Sequence, residues 1–159
     1  MASVASLDFG PLDLPGPTGE SNQFQLVAKG VVLCMGPGPE ALLTQVCQAL
    51  SCGNVVIACE HDARQTLAKL EFINNLPLAV FNGSIAPEAL EKLDVNAVAF
   101  FGDTQTHSQF RKILSTKPGA IVPIITESNN PVLYCNERAI CIDTTAAGGN
   151  ASLLAQSDE

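Results

Sequence analysis

Short apolar runs that alternate with amphipathic stretches constrain this chain more than any other feature of its sequence. Val31-Val32-Leu33-Cys34-Met35 is apolar without interruption, as a strand buried on both faces must be. Pro39 then opens a helix, at a position where its missing N–H would be unpaired anyway. Leu42, Leu43, Val46, Cys47 and Leu50 fall at i, i+1, i+4, i+5 and i+8, which is one helical face. Gly53 ends that helix as a left-handed cap. A second strand covers residues 54–59. Asp62 caps the next helix, with Gln65 as its capping-box partner and Leu67, Leu70 and Phe72 as its apolar content. A third strand covers 78–81, and Pro87-Glu88 opens a brief helix that runs to Leu93. The fourth strand covers 97–101. Asp103 or Thr104 starts a helix carrying Phe110, Ile113 and Leu114, which Pro118-Gly119 stops, and residues 120–125 make the fifth strand. Strands and helices in this order build βαβ units. The predicted fold is α/β: a Rossmann-like open parallel sheet of about five strands with flanking helices.

The two ends depart from that rhythm. Residues 1–30 are rich in Pro and Gly from Asp8 to Gly19 and hold no apolar period, so they read as an extended arm or linker. Residues 31–138 carry the α/β domain, and residues 139–159 form a terminal strand and tail. A short helix after Asn130-Pro131 and an alternating strand over residues 132–143 are both compatible with the pattern, and both stay open. Ala139-Ile140-Cys141-Ile142-Asp143 reads as a strand. The tail that follows has almost no bulk until Leu153 and cannot bury enough area to fold on itself.

Composition removes several functions. Eight basic against sixteen acidic residues leave a net charge of −8, which repels phosphate backbones and anionic membranes. No apolar run approaches the ~18 residues of a spanning helix. The first residues have neither a basic nor an apolar region, so no secretion signal is expected and the chain is expected to be cytoplasmic. None of the cysteines (Cys34, Cys47, Cys52, Cys59, Cys135 and Cys141) is paired at C-x-x-C spacing. Buried free thiols acting as small hydrophobes are expected, without a metal. His61 and His107 sit beside helix starts and read as surface residues.

The turn Gly36-Pro37-Gly38-Pro39-Glu40-Ala41 is formally G-x-G-x-x-A between a strand and a helix, and Glu60 ends the next strand about 20 residues on. Gly36, Gly38 and Glu60 are therefore the weak candidates for a dinucleotide site, in which glycines admit the pyrophosphate and the acid holds a ribose hydroxyl. Pro37 and Pro39 lack the N–H groups that should point at phosphate, and Glu40 would repel it. No catalytic or metal-ligating residue is assigned. There is no G-x-S-x-G elbow, and no cysteine has a histidine base nearby in sequence. An independent small enzyme using Cys34 or Cys141 is the least favoured reading.

Three segments together carry a resemblance. They are Leu14-Pro15-Gly16-Pro17-Thr18-Gly19-Glu20-Ser21-Asn22, the strand Val31-Val32-Leu33-Cys34 with its Gly-Pro turn, and the closing run from Asp143 through Thr144, Thr145, Gly148, Gly149 and Asn150 to Leu153 and Leu154. The chain resembles the C-terminal end of long bacterial PutA proteins, bifunctional proline dehydrogenases and L-glutamate gamma-semialdehyde (1-pyrroline-5-carboxylate) dehydrogenases. The resemblance implies an aldehyde-dehydrogenase-superfamily-like domain that is itself non-catalytic. It implies a parent oxidoreductase using FAD and NAD to convert proline to glutamate, with no cofactor in this chain. The implied partner is the aldehyde dehydrogenase domain of the same or a companion chain, with docking across a dimer also open. The body would pack on that domain and cover its site and substrate channel, with Thr144, Thr145, Gly148, Gly149, Asn150, Leu153 and Leu154 as the docking tail. Neither the Gly-Gln-x-Cys nucleophile setting nor the Glu-Leu-Gly-Gly segment of an aldehyde dehydrogenase occurs here. A fragment, a split-gene partner and a small protein in its own right all stay open. The alternative function is a nucleotide-binding module at the Gly36-Gly38 turn.

Overall fold

The computed structural model describes residues 7–70 and 75–143. In chain order its elements are β1 (Leu12–Leu14), β2 (Glu20–Ala28), β3 (Val31–Cys34), α1 (Gly38–Ser51), β4 (Val55–Glu60), α2 (Ala63–Leu67), β5 (Leu78–Asn82), α3 (Pro87–Lys92), β6 (Ala97–Ala99), α4 (Thr104–Ser115), β7 (Ile124–Ile125), a 3-10 helix (Pro131–Tyr134) and β8 (Cys135–Asp143). They form two units, one built on Ala28–Asn136 and the other on Asp8–Val27 and residues 137–143.

The first unit is the expected α/β body. Its five strands are parallel in the order β5-β4-β3-β6-β7. The order reverses at β3: the chain winds outward through β4 and β5, then returns to the other side for β6 and β7. In open sheets of this kind the crevice beyond the strand ends at such a reversal is where ligands bind. Val32, Leu33, Cys34, Ala97, Val98 and Ala99 are buried because helices cover both faces. Leu33, Met35 and Val98 share one core cluster with Leu90 of α3 and Leu114 of α4. The alternate residues face the other layer, where α1 packs on β3 and β4 and Tyr134 lies close to Cys34. Each fully buried Leu or Val contributes about 1.5–3 kcal/mol.

Several elements differ from expectation. Asp62 makes no side-chain cap bond; Asn82 supplies the acceptor instead, taking the Arg64 N–H at 2.9 Å. Helix α2 ends at Leu67, so Leu70 lies beyond it, and Phe72 is outside the described residues. The fifth strand is only Ile124–Ile125, because Pro123 interrupts the apolar run and Ile121 is left exposed. The region after Asn130 takes both forms that the pattern left open: the 3-10 helix opens at Pro131, and β8 follows it. Asp103 does cap α4, accepting the Thr106 N–H at 2.9 Å.

The second unit is a small sheet where the sequence shows no period. β1 pairs with β2 in the register Leu12↔Phe24 and Leu14↔Asn22, and the sheet order is β1-β2-β8. Leu12, Leu14, Ile140 and Ile142 remain exposed on its two outer strands. No helix among the described residues is long and apolar enough to cross a membrane.

Candidate functional site

Strand β3 delivers the Gly-rich turn to the crevice where the sheet order reverses. Gly36 and Gly38 have φ of +70° and +78°, values that only glycine adopts freely. The Gly36-Pro37 bond is cis. A Cβ on Gly36 would lie 2.9 Å from the Gly38 nitrogen and 3.1 Å from the Glu60 Cγ. Gly36 therefore lies against Glu60, with Gly38 two residues further along the turn.

The Gly36 N–H is already engaged. Gly36 donates its N–H to Gln45 Oε1 at 2.9 Å, and Gln45 Nε2 donates back to the Gly36 carbonyl at 2.7 Å. The Phe101 N–H reaches the same carbonyl at 2.9 Å, so pairing between the β3 and β6 segments continues past the strand ends. Gln45 is wholly buried, and its amide satisfies a backbone that a pyrophosphate would otherwise use. Pro37 and Pro39 contribute no N–H, and Glu40 places a carboxylate in the first turn of α1.

A cleft of about 380 Å³ lies at the strand ends, lined by Met35, Pro37, Cys59, Glu60, Phe100 and Phe110 among others. Glu60 Oε2 accepts the Asp62 N–H at 3.3 Å. Phe100 meets Phe110 edge-on at 5.1 Å and His107 at 5.3 Å, so the half-buried His107 packs one side against an aromatic ring. Its Nδ1 is buried with no partner.

Cys34 and Cys59 are placed as small hydrophobes more than as nucleophiles. Cys34, Cys52, Cys59 and Cys135 are buried and free, whereas Cys47 and Cys141 are exposed. Burial pushes Cys34 far above the ordinary thiol range and raises Cys59 as well. Among the described residues no group of three or more His, Cys, Asp or Glu could hold a metal ion. The tail residues Thr144, Thr145, Gly148, Gly149, Asn150, Leu153 and Leu154 lie outside the described residues.

The sequence pattern did not single out Gln45 or Asn54. Asn54 accepts the Gly30 N–H at 3.0 Å and donates to the carbonyls of Ala49 and Tyr134. Polar residues inside apolar stretches were the available signal for both.

Fold and turn together define a Rossmann-like α/β domain whose Gly-rich turn is tied to α1 through Gln45. Solved structures share that fold: PnpE in complex with nicotinamide adenine dinucleotide (22% identity, TM-score 0.60, 72% of this chain and 26% of that one) and an NAD-dependent benzaldehyde dehydrogenase from Corynebacterium glutamicum (20%, 0.60, 75% and 28%). The nearer likeness is to PutA. The bifunctional protein PutA of Salmonella typhimurium is 34% identical over 149 residues, 89% of this chain and 11% of its own length, and that of Escherichia coli is 33% identical over the same shares. A crystal structure of Bradyrhizobium japonicum Proline Utilization A matches at 33% identity and a TM-score of 0.64, covering 74% of this chain and 13% of that one. This chain is thus a relative of the PutA proteins, as its motifs imply, and it spans about 11% of the length of these two curated relatives. No protein-family model matches it.

Proposed function

We propose that this chain is a non-catalytic module of a PutA-like proline-catabolic enzyme in the cytoplasm, corresponding to the C-terminal domain of the long members. In this reading the α/β body packs on an aldehyde dehydrogenase domain, and the tail covers that domain's site and substrate channel. The body, residues 31–138, is the folded scaffold; residues 1–30 connect it, and residues 139–159 dock. The parent enzyme would use FAD and NAD, with neither held by this chain. A lid of this kind raises turnover by excluding water and retaining the intermediate.

The observation that carries the reading is the Gln45 amide in the phosphate turn, in a chain related to PutA over nearly all its length. It weighs against the nucleotide-binding alternative at Gly36, Gly38 and Glu60. Strand β8 adds support, because it exposes Ile140 and Ile142 at a sheet edge immediately before the tail.

The test is a double variant, Gly148→Trp with Gly149→Trp, in the parent polypeptide or in a mixture with the companion dehydrogenase. Dehydrogenase turnover and transfer of the intermediate should fall, while thermal unfolding of the α/β body stays unchanged. Full coupled activity in the double variant would overturn the lid role.

A further inference from the structure

We propose that Cys135 and Cys52 form a peroxide-responsive dithiol, in which Cys135 is oxidised first and Cys52 resolves it to an intrachain disulfide. Cys52 caps the C-terminus of α1, and Cys135 is the first residue of β8. They are only 3% and 6% exposed, respectively. Both thiols point at one acceptor, the Pro131 carbonyl, Cys52 from 3.4 Å and Cys135 from 3.9 Å. Each thiol is also near enough to the other to bear on its ionisation. The remaining buried cysteines show no such pairing: Cys59 donates to the Gly83 carbonyl at 3.3 Å, and Cys34 is shielded in β3.

The pair is asymmetric, and this assigns the roles. The Lys29 ammonium lies near Cys135, with its Nζ held by Asn136 Oδ1 at 2.9 Å. Burial raises both thiols. Cys52 is pushed up to about 12, whereas Lys29 and the Cys52 thiol pull Cys135 back toward the thiolate. The cation held beside Cys135 favours its thiolate over that of Cys52, which gives Cys135 the first step. A hydroperoxide is small enough to reach a nearly enclosed sulfur. The thiolate attacks the peroxide oxygen, the O–O bond breaks, and hydroxide leaves with the electron pair. Cys52 then attacks the sulfenic sulfur, forming the S–S bond and releasing water. Each disulfide consumes one peroxide and two thiol hydrogens. It clamps the start of β8 to the end of α1. The proposal rests on these contacts alone and stands apart from the docking reading.

The experiment uses the full chain with Cys47→Ser and Cys141→Ser, which removes the exposed thiols. The folded protein is treated with stoichiometric hydrogen peroxide, alkylated and mapped without reduction. The expected result is one linked peptide pair joining Cys52 to Cys135, a mass lower by two hydrogens, a higher thermal midpoint, and reversal by excess dithiothreitol. Dimedone should label Cys135 in a further Cys52→Ser variant at least about tenfold faster than it labels Cys52 in a Cys135→Ser variant. Absence of the linked peptide from peroxide-treated folded protein would overturn the pairing, whether or not the serine variants fold. Equal or reversed dimedone rates would overturn the assigned roles.

Discussion

Gln45 shows how one side chain can decide what a turn does. A glutamine on the buried face of α1 must find a donor and an acceptor, and Gly36 supplies both. Gln45→Leu removes both bonds and leaves a buried N–H unpaired, so urea unfolding should show a loss of about 2–3 kcal/mol. The same geometry makes a ligand prediction. With two prolines in the turn and the Gly36 N–H engaged, titration with millimolar NAD should give no binding heat. A saturable isotherm that disappears when Glu60 is replaced by alanine would favour the nucleotide reading instead.

Helix α4 is the element whose start is most directly encoded. Asp103 accepts from the Thr106 N–H at 2.9 Å and from the Thr106 hydroxyl at 2.7 Å. These bonds hold the Asp103 carboxyl below its ordinary value. A carboxyl depressed in the folded state stabilises it fully above the unfolded value near pH 4, and the contribution disappears as the pH falls through the lower, folded value. The thermal midpoint of the wild type should therefore lose this contribution in acid. Asp103→Ala should have a lower midpoint at neutral pH, and the gap between the two proteins should narrow below pH 4. A gap that is constant with pH would mean that the carboxylate is not the source. Helix α2 shows the opposite case: Asp62 has the right residue type and position, yet Asn82 takes the donor. A cap signal names a residue able to bond, and the neighbouring strand decides which acceptor arrives first.

For the whole molecule, the docking and oxidation experiments bear on different regions. The first reads the tail beyond residue 143, and the second reads the junction of α1 with β8. A chain that fails the docking test but forms the Cys52–Cys135 disulfide would still be a PutA relative with a redox-sensitive body.

Local pattern was enough to obtain the five parallel strands, most helix starts, the PutA resemblance and the placement of Cys34 and Cys59 in strands. Apolar runs buried on both faces and helical stripes are written in consecutive residues, so they can be read without the fold. Other features depend on groups far apart in the chain. Gln45 meets Gly36, Asn54 bonds the Tyr134 carbonyl, and Cys52 shares the Pro131 carbonyl with Cys135. The sheet of β1, β2 and β8 likewise joins the two ends of the described chain. No local period encodes such pairings, because each partner is a single polar atom or strand edge brought close only when the sheet closes and water is excluded. The arrangement of helices and strands thus follows from residue order, whereas the filling of the phosphate turn and the pairing of two thiols arise from packing.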